Sequence, residues 1–279
     1  MLWGFTPVLG KLISLKALDL VWWRLVFSLL SLFLYLRFKG VSLRVSLKDL
    51  KFLLGWGAVV GFHWFFFYHA IKVSNVSIAL AGFSTITLFA SVLQPIMLKR
   101  KFFWGDAFYG VIIVAGLLVI LQFEKFYALG ILYGVLAAVT AAMFGIYNGK
   151  LIQKHQASTI TFYEFFGALI TISILQLMDG TLFEIPLPGT NDLIYLLILS
   201  VLCTTVAFTL SVEILKKIDP LTVIITNNLE PVYGVVFSIL LFGDSELMSG
   251  GFYAGASVLL LAVFTYPFFK KRFSSDYQK

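Results

Sequence analysis

The sequence predicts an all-α integral membrane protein of about ten transmembrane helices, arranged as two inverted five-helix repeats with both termini in the cytoplasm. Three observations carry this prediction. Hydrophobic residues make up 60% of the 279 and charged residues 13%, where a soluble domain carries roughly a quarter charged, and the mean hydropathy is +0.95. Apolar runs of membrane-spanning length recur to the end of the chain, separated by loops too short to hold a soluble domain. Lys and Arg concentrate in alternate loops.

The predicted spans lie near 3–13, 17–36, 52–70, 75–98, 103–122, 127–148, 159–177, 192–214, 221–241 and 251–269. The first, "WGFTPVLGKLI", falls short of the ~20 residues a crossing needs. No basic region precedes it and no small-residue cleavage site follows, so it does not read as a signal peptide; the expectation is that the native first helix begins upstream of Met1. The loops 37–51, 98–102, 149–158 and 215–220 and the tail 270–279 hold sixteen basic residues, and the opposite side holds only Lys11, Lys16, Lys72 and Lys125. That bias sets the basic loops in the cytoplasm. It also accounts for the net charge of +7 without a nucleic-acid partner. Cys203, the single cysteine, lies inside an apolar run, which rules out an internal disulfide.

The two halves of the chain resemble each other. "WWRLVFSLL" at 22–30 matches "FYEFFGALI" at 162–170, "GKL" at 10–12 recurs at 149–151, and "HAIKVSNVSIAL" at 69–80 aligns with "EILKKIDPLTVI" at 213–224. The repeats are bounded at 1–124 and 125–279. An odd number of helices per repeat inverts the second half, an architecture of secondary transporters with a midplane site between the halves. Arg24 and Glu164 then occupy equivalent positions.

An ionisable side chain at membrane depth is costly and marks a functional position. Arg24, Glu164 and Glu230 qualify. At helical spacing Arg24 shares a face with Ser28, Ser31 and Tyr35, and Glu164 shares one with Thr161 and Thr171. The fourth span aligns Ser77, Ser84, Thr87, Ser91 and Gln94 on one face. Such a stripe lines a polar pathway or lets helices pack closely, and both readings stand at this stage. In "NNLEPVYG" at 227–234, Pro231 lacks an amide and frees the carbonyl of Asn227, so a helix break is expected beside Glu230. In "GFHWFFFYHA" at 61–70, Trp64 and Phe67 offer a wall for a flat or cationic solute. His63 and His69 project from different faces and have no Cys or acidic companion, so no metal site is expected. The small-residue spacings in "GAVVG" at 57–61 and "GILYG" at 130–134 read as packing faces.

With "LWG…GKL" at the start, Arg24 in the second span, and "LEPV" followed by "FGDSEL" at 229–247, the whole chain resembles the EamA-type branch of the drug/metabolite transporter superfamily. The resemblance implies a multi-pass carrier of a bacterial or archaeal inner membrane that exports small metabolites such as amino acids. On the motif positions, it implies that Arg24 is the family's second-span arginine, Pro231 its ninth-span proline and Glu246 the acidic residue that follows. The chain departs from the pattern at Ile86–Thr87, where a proline is usual, and at Lys101, where an acid is usual.

The functional expectation is a secondary transporter, acting by alternating access as a monomer or homodimer, whose partners are a small-molecule substrate, the lipid bilayer and coupling protons. Glu164, Glu230, Asn227, Arg24, Ser84, Thr87, Ser91, Trp64 and Phe67 are the candidate substrate and proton pathway. No cofactor is expected and no phosphate-binding loop occurs. The alternatives are an integral membrane enzyme, weakened by the lack of paired carboxylates or a His and Cys cluster, and a passive channel.

Overall fold

The computed structural model describes residues 2–99, 104–227 and 229–273, and every described element is helical. A 3₁₀ turn, Leu2–Phe5, leads into α1 (Thr6–Leu12). Then follow α2 (Ala17–Lys39), α3 (Leu47–Val73), α4 (Val76–Phe83), α5 (Ile86–Leu98) and α6 (Trp104–Phe123). The rest of the chain forms α7 (Ala128–Leu151), α8 (Ala157–Met178), α9 (Thr190–Ser200), α10 (Ala207–Ile214), α11 (Pro220–Asn227), α12 (Leu229–Phe242) and α13 (Gly250–Phe273).

Seven helical stretches are long and apolar enough to cross a membrane, from Ala17–Lys39 to Pro220–Glu246. Phe108–Phe123 and Gly250–Tyr266 are apolar but shorter, and the helix before Ile13 is shorter again. Among the described residues, therefore, seven of the ten expected spans meet the length and hydropathy requirements together. Lys101 and the tail beyond residue 273 lie outside the described residues, and so does Asn228 beside the expected break at Pro231.

The bundle is built round α3, which packs on α7 and α8, with α2 against α8, α4 against α7 and α6 against α13. Glycines let these backbones meet. A Cβ at Gly57 of α3 would stand 2.4 Å from the Glu164 carbonyl oxygen, and one at Gly167 of α8 would stand 2.4 Å from that of Leu54. The α4–α7 crossing repeats the device, where a Cβ at Gly82 would lie 2.7 Å from the Ile131 carbonyl oxygen. Lipid supplies no hydrophobic drive between helices, so this close van der Waals contact is a main source of association.

Two irregular stretches shape the interior. The fourth span breaks between α4 and α5, well ahead of its proline, Pro95. Ser84 Oγ donates to the Ala81 carbonyl at 2.7 Å and Thr85 Oγ1 to the Gly82 carbonyl at 2.7 Å, competing with the helical amides for the same acceptors. The eighth span widens into a π-helical stretch, Val201–Val206, between α9 and α10. Wide turns of this kind occur as inserts in α-helices and often stand at functional sites.

The α3–α8 contact generates a paired test. Gly57→Ala should lower thermal stability by about 1–3 kcal/mol, the range for overpacking, read by fluorescence-detected size exclusion after heating. Gly55→Ala, whose Cβ would meet nothing within 4 Å, should leave the transition unchanged or raise it.

Candidate functional site

A cavity of about 90 Å³ opens at the centre of the bundle, room for about three waters at ~30 Å³ each. Residues from α1, α2 and α3 meet residues from α7, the π stretch, α10, α11 and α12 around it. Its wall is largely aromatic. The ring centroids of Phe67 and Phe83 lie 5.4 Å apart, those of Phe144 and Phe208 5.7 Å, and those of Trp64 and Phe208 6.1 Å. Of the predicted pathway residues, the structure brings Arg24, Trp64, Phe67, Asn227 and Glu230 to this one space.

Arg24 is 3% exposed and has no carboxylate partner among the described residues. Its Nε donates to Thr204 Oγ1 at 2.7 Å and its Nη1 to the Tyr68 hydroxyl at 2.9 Å. The guanidinium lies over the Trp64 ring, 4.2 Å from the centroid, a cation–π contact that gains strength away from water. Hydroxyls and an aromatic face thus take the place of an anion, and the guanidinium, which has more N–H donors than these two bonds use, lines the cavity.

The π stretch makes this possible. Thr204 Oγ1 donates to the Leu199 carbonyl at 2.6 Å, which turns its lone pairs toward Arg24. Around it, Ser28 Oγ donates to the Ser200 carbonyl, Thr205 Oγ1 to the Ser28 carbonyl, and Trp3 Nε1 to the Cys203 carbonyl at 3.1 Å. Ser31 lies 2.9 Å from Thr205 Oγ1. One polar seam therefore joins α2 to the π stretch. Tyr35, expected on the same face, is exposed instead: the seam ends above it, where α2 has passed the π stretch.

Glu230, in the first turn of α12, faces the cavity and accepts from Thr6 Oγ1 at 3.2 Å. The single hydroxyl hydrogen of Thr6 is shared between Glu230 and the Trp3 carbonyl. No ion pair joins Glu230 to Arg24, although both line the space. His63 gives Nδ1 to the Ala137 carbonyl at 2.9 Å, and no group of three metal-ligating side chains occurs among the described residues.

The remaining predicted residues lie elsewhere. Ser84, Thr87 and Ser91 are buried but do not line the cavity. Ser84 and Ser91 spend their hydroxyls on carbonyls of their own helix, Ala81 and Leu88. The ends of the stripe tie helices together: Ser77 donates to Glu246 Oε2 at 2.9 Å, and Gln94 Nε2 to the Asp219 carboxylate at 2.9 Å. The stripe is thus a packing and bracing face. Glu164 is also outside the cavity, fully buried between α3 and α7, where Asn148 Nδ2 donates to its Oε2 at 3.1 Å. Pro231 follows Glu230 and is buried.

Sequence reasoning missed Tyr68, Thr204, Asn148 and Thr6. Threonine and tyrosine are ordinary in apolar helices and carry no signal singly; Asn148, a lone amide at the end of a long apolar run, is the one that could have been found.

A family model described as the EamA-like transporter family matches residues 1–122 and 128–266. No curated protein matches the chain. A solved structure recorded as "Crystal structure of protein" superposes over 94% of this chain and 92% of its own with a TM-score of 0.69 at 13% identity, a likeness that shows the fold alone.

The geometry around Arg24 sets a test. Thr204→Val removes an acceptor from a buried charge and should cost about 1.5–3 kcal/mol of stability, while Arg24→Ala should cut the yield of monodisperse protein several-fold, both read by size exclusion and thermal melts. Normal yield and melting for both variants would show that the seam is not structural.

Proposed function

The chain belongs to the EamA-like transporter family, and on that premise we propose that it is a secondary transporter that moves a small amphipathic metabolite such as an amino acid, outward across an inner membrane, by alternating access. The carrying observation is the central cavity, where an unpaired cation, Arg24, and a carboxylate, Glu230, face one aromatic-walled space. A zwitterion matches that arrangement. Its carboxylate would meet the free N–H groups of Arg24, its ammonium Glu230 and Asn227, and its apolar part the rings of Trp64 and Phe67, with orientation set by few polar groups in an apolar pocket.

The proposed repeats, 1–124 and 125–279, are supported by the family model matching in two stretches. The brackets between these halves support alternating access. At one end, Lys11 Nζ lies 2.8 Å from Glu246 Oε1, Glu246 accepts from the Val76 and Ser77 amides at the start of α4, and Ser14 donates to Asp192. At the other end the cavity lining runs to Asn148, Leu215 and Pro220, beside the basic loops 149–158 and 215–220. In this reading the described form is closed at the outer end by Glu246 and Asp192 and faces the cytoplasm. Transport outward requires those contacts to break and the end beside Asn148, Leu215 and Pro220 to close.

In proteoliposomes, uptake of at least one labelled amino acid should saturate with concentration, and Glu230→Gln should raise its KM tenfold or more. Flux that rises without saturation would identify a passive channel. Cys203, buried on the cavity wall, reports the open side. An impermeant maleimide should label it from the cytoplasmic side, and Glu246→Gln should increase labelling from the outside; equal labelling in both proteins would sink the latch.

A further inference from the structure

We propose that Glu164 and Asn148 form a proton-carrying acid–amide pair behind the cavity wall, and that its proton is the coupling ion of transport; the coupling part rests on the transporter reading above. Glu164 is 0% exposed and Asn148 1%. A single hydrogen bond joins them, from Asn148 Nδ2 to Glu164 Oε2 at 3.1 Å. The other oxygen of each, Glu164 Oε1 and Asn148 Oδ1, is buried without a partner. Thr161 Oγ1, one turn earlier on α8, is a third buried oxygen without one.

If Glu164 is ionised, two buried acceptors go unmet and a charge sits in the bundle with no cation bonded to it, a steep cost in an interior of this kind. One proton removes both faults. A primary amide and a carboxylic acid form a ring of two hydrogen bonds, amide N–H to acid C=O and acid O–H to amide C=O. The first bond is present here. The second uses the acid oxygen and the amide oxygen that are left over, and it requires a proton on Glu164 Oε1.

Several charged and titratable groups on the surrounding elements have partners of their own. From α2, Arg24 bonds Thr204 and Tyr68; from α3, His63 bonds the Ala137 carbonyl and Asp49 lies 3.8 Å from His155; from α7, Lys150 bonds the Met97 carbonyl; from α10, Glu213 pairs with Lys216; on α8 itself, Tyr163 bonds the Leu43 carbonyl. None bonds Glu164.

Asn148 lines the cavity while Glu164 does not, so the amide separates the acid from cavity water. When the Asn148 side chain rotates out of the ring, the Glu164 O–H bond breaks, the proton passes to a cavity water as hydronium, and the electron pair stays on the carboxylate. Uptake is the reverse. The loaded pair is neutral and self-satisfied and needs nothing from the cavity; the unloaded carboxylate needs a donor, which couples its charge to the cavity's occupancy.

The test is infrared difference spectroscopy of the full chain in liposomes as the pH is stepped. The wild type should show the carbonyl stretch of a protonated carboxylic acid at neutral pH, and Glu164→Gln should lack it. Gln keeps the ring, because its amide donates to Asn148 Oδ1, so the variant should melt with the wild type, which separates loss of the band from loss of the fold. In labelled amino-acid uptake, an imposed pH gradient should drive accumulation by the wild type, and Glu164→Gln should retain exchange while losing the response to the gradient. A neutral-pH spectrum without the band, or one unchanged by Glu164→Gln, overturns the proposal, as does a melting temperature that rises with sodium in the wild type only, which would assign the oxygens to a metal cation. The band without uptake by either protein supports the proton site and overturns its coupling role together with the transporter reading.

Discussion

The interior of this bundle depends on keeping a permanently charged guanidinium where no anion is bonded to it. A buried ion pair with Glu230 would have satisfied Arg24 and closed the cavity. The chain instead distributes the charge over two hydroxyls and the Trp64 ring, at a desolvation cost that is recovered only if every one of those groups is held in place. Holding them requires the polar seam of Ser28, Thr205 and Ser200, and the seam requires the π stretch that sets Thr204 toward α2. The open cavity and its free cation follow from this arrangement.

A second constraint is the absence of water to hydrogen-bond backbone and side chains at membrane depth. Hydroxyls therefore turn back on their own helices, as at Ser84, Thr85 and Ser91, and carboxylates cap exposed amides. Glu246 serves the first amides of α4 from across the bundle, where the positive end of a helix favours an anion. Asn75 completes that cap within the chain by accepting from the Ile78 amide. The Glu164–Asn148 pair departs from this economy, since two side chains already joined by a hydrogen bond each keep a buried oxygen without a partner, where Thr161, Gln176, Ser200 and Thr209 leave one apiece.

The equivalent positions of Arg24 and Glu164 show how far a repeat read from sequence reaches. Each is buried, at the place the alignment pairs them, yet one lines the cavity and the other sits behind a neighbour. The alignment carries helix register. It does not carry the rotation of a helix about its axis against its neighbours, which at α8 is set by the contact of Gly57 and Gly167 with opposing backbone.

The sequence by itself determined the class, the course of the seven long spans, the burial of Arg24 and Glu164 and the aromatic character of the third span, because the bilayer acts on each segment locally, through its length and hydropathy. Arg24, Trp64, Phe67, Asn227 and Glu230 were legible as cavity-lining residues for that reason: polar groups and aromatic clusters in apolar runs are conspicuous one helix at a time. The tertiary structure alone decided that Ser84, Thr87 and Ser91 stand outside the cavity, that Tyr35 is exposed, that the fourth span breaks well ahead of its proline, Pro95, and that Thr204, Tyr68 and Asn148 line the cavity. Those outcomes turn on which helix faces which, and that is decided by close glycine contacts and by a π turn whose hydrogen bonds join residues 172–180 positions apart, a separation no local pattern records.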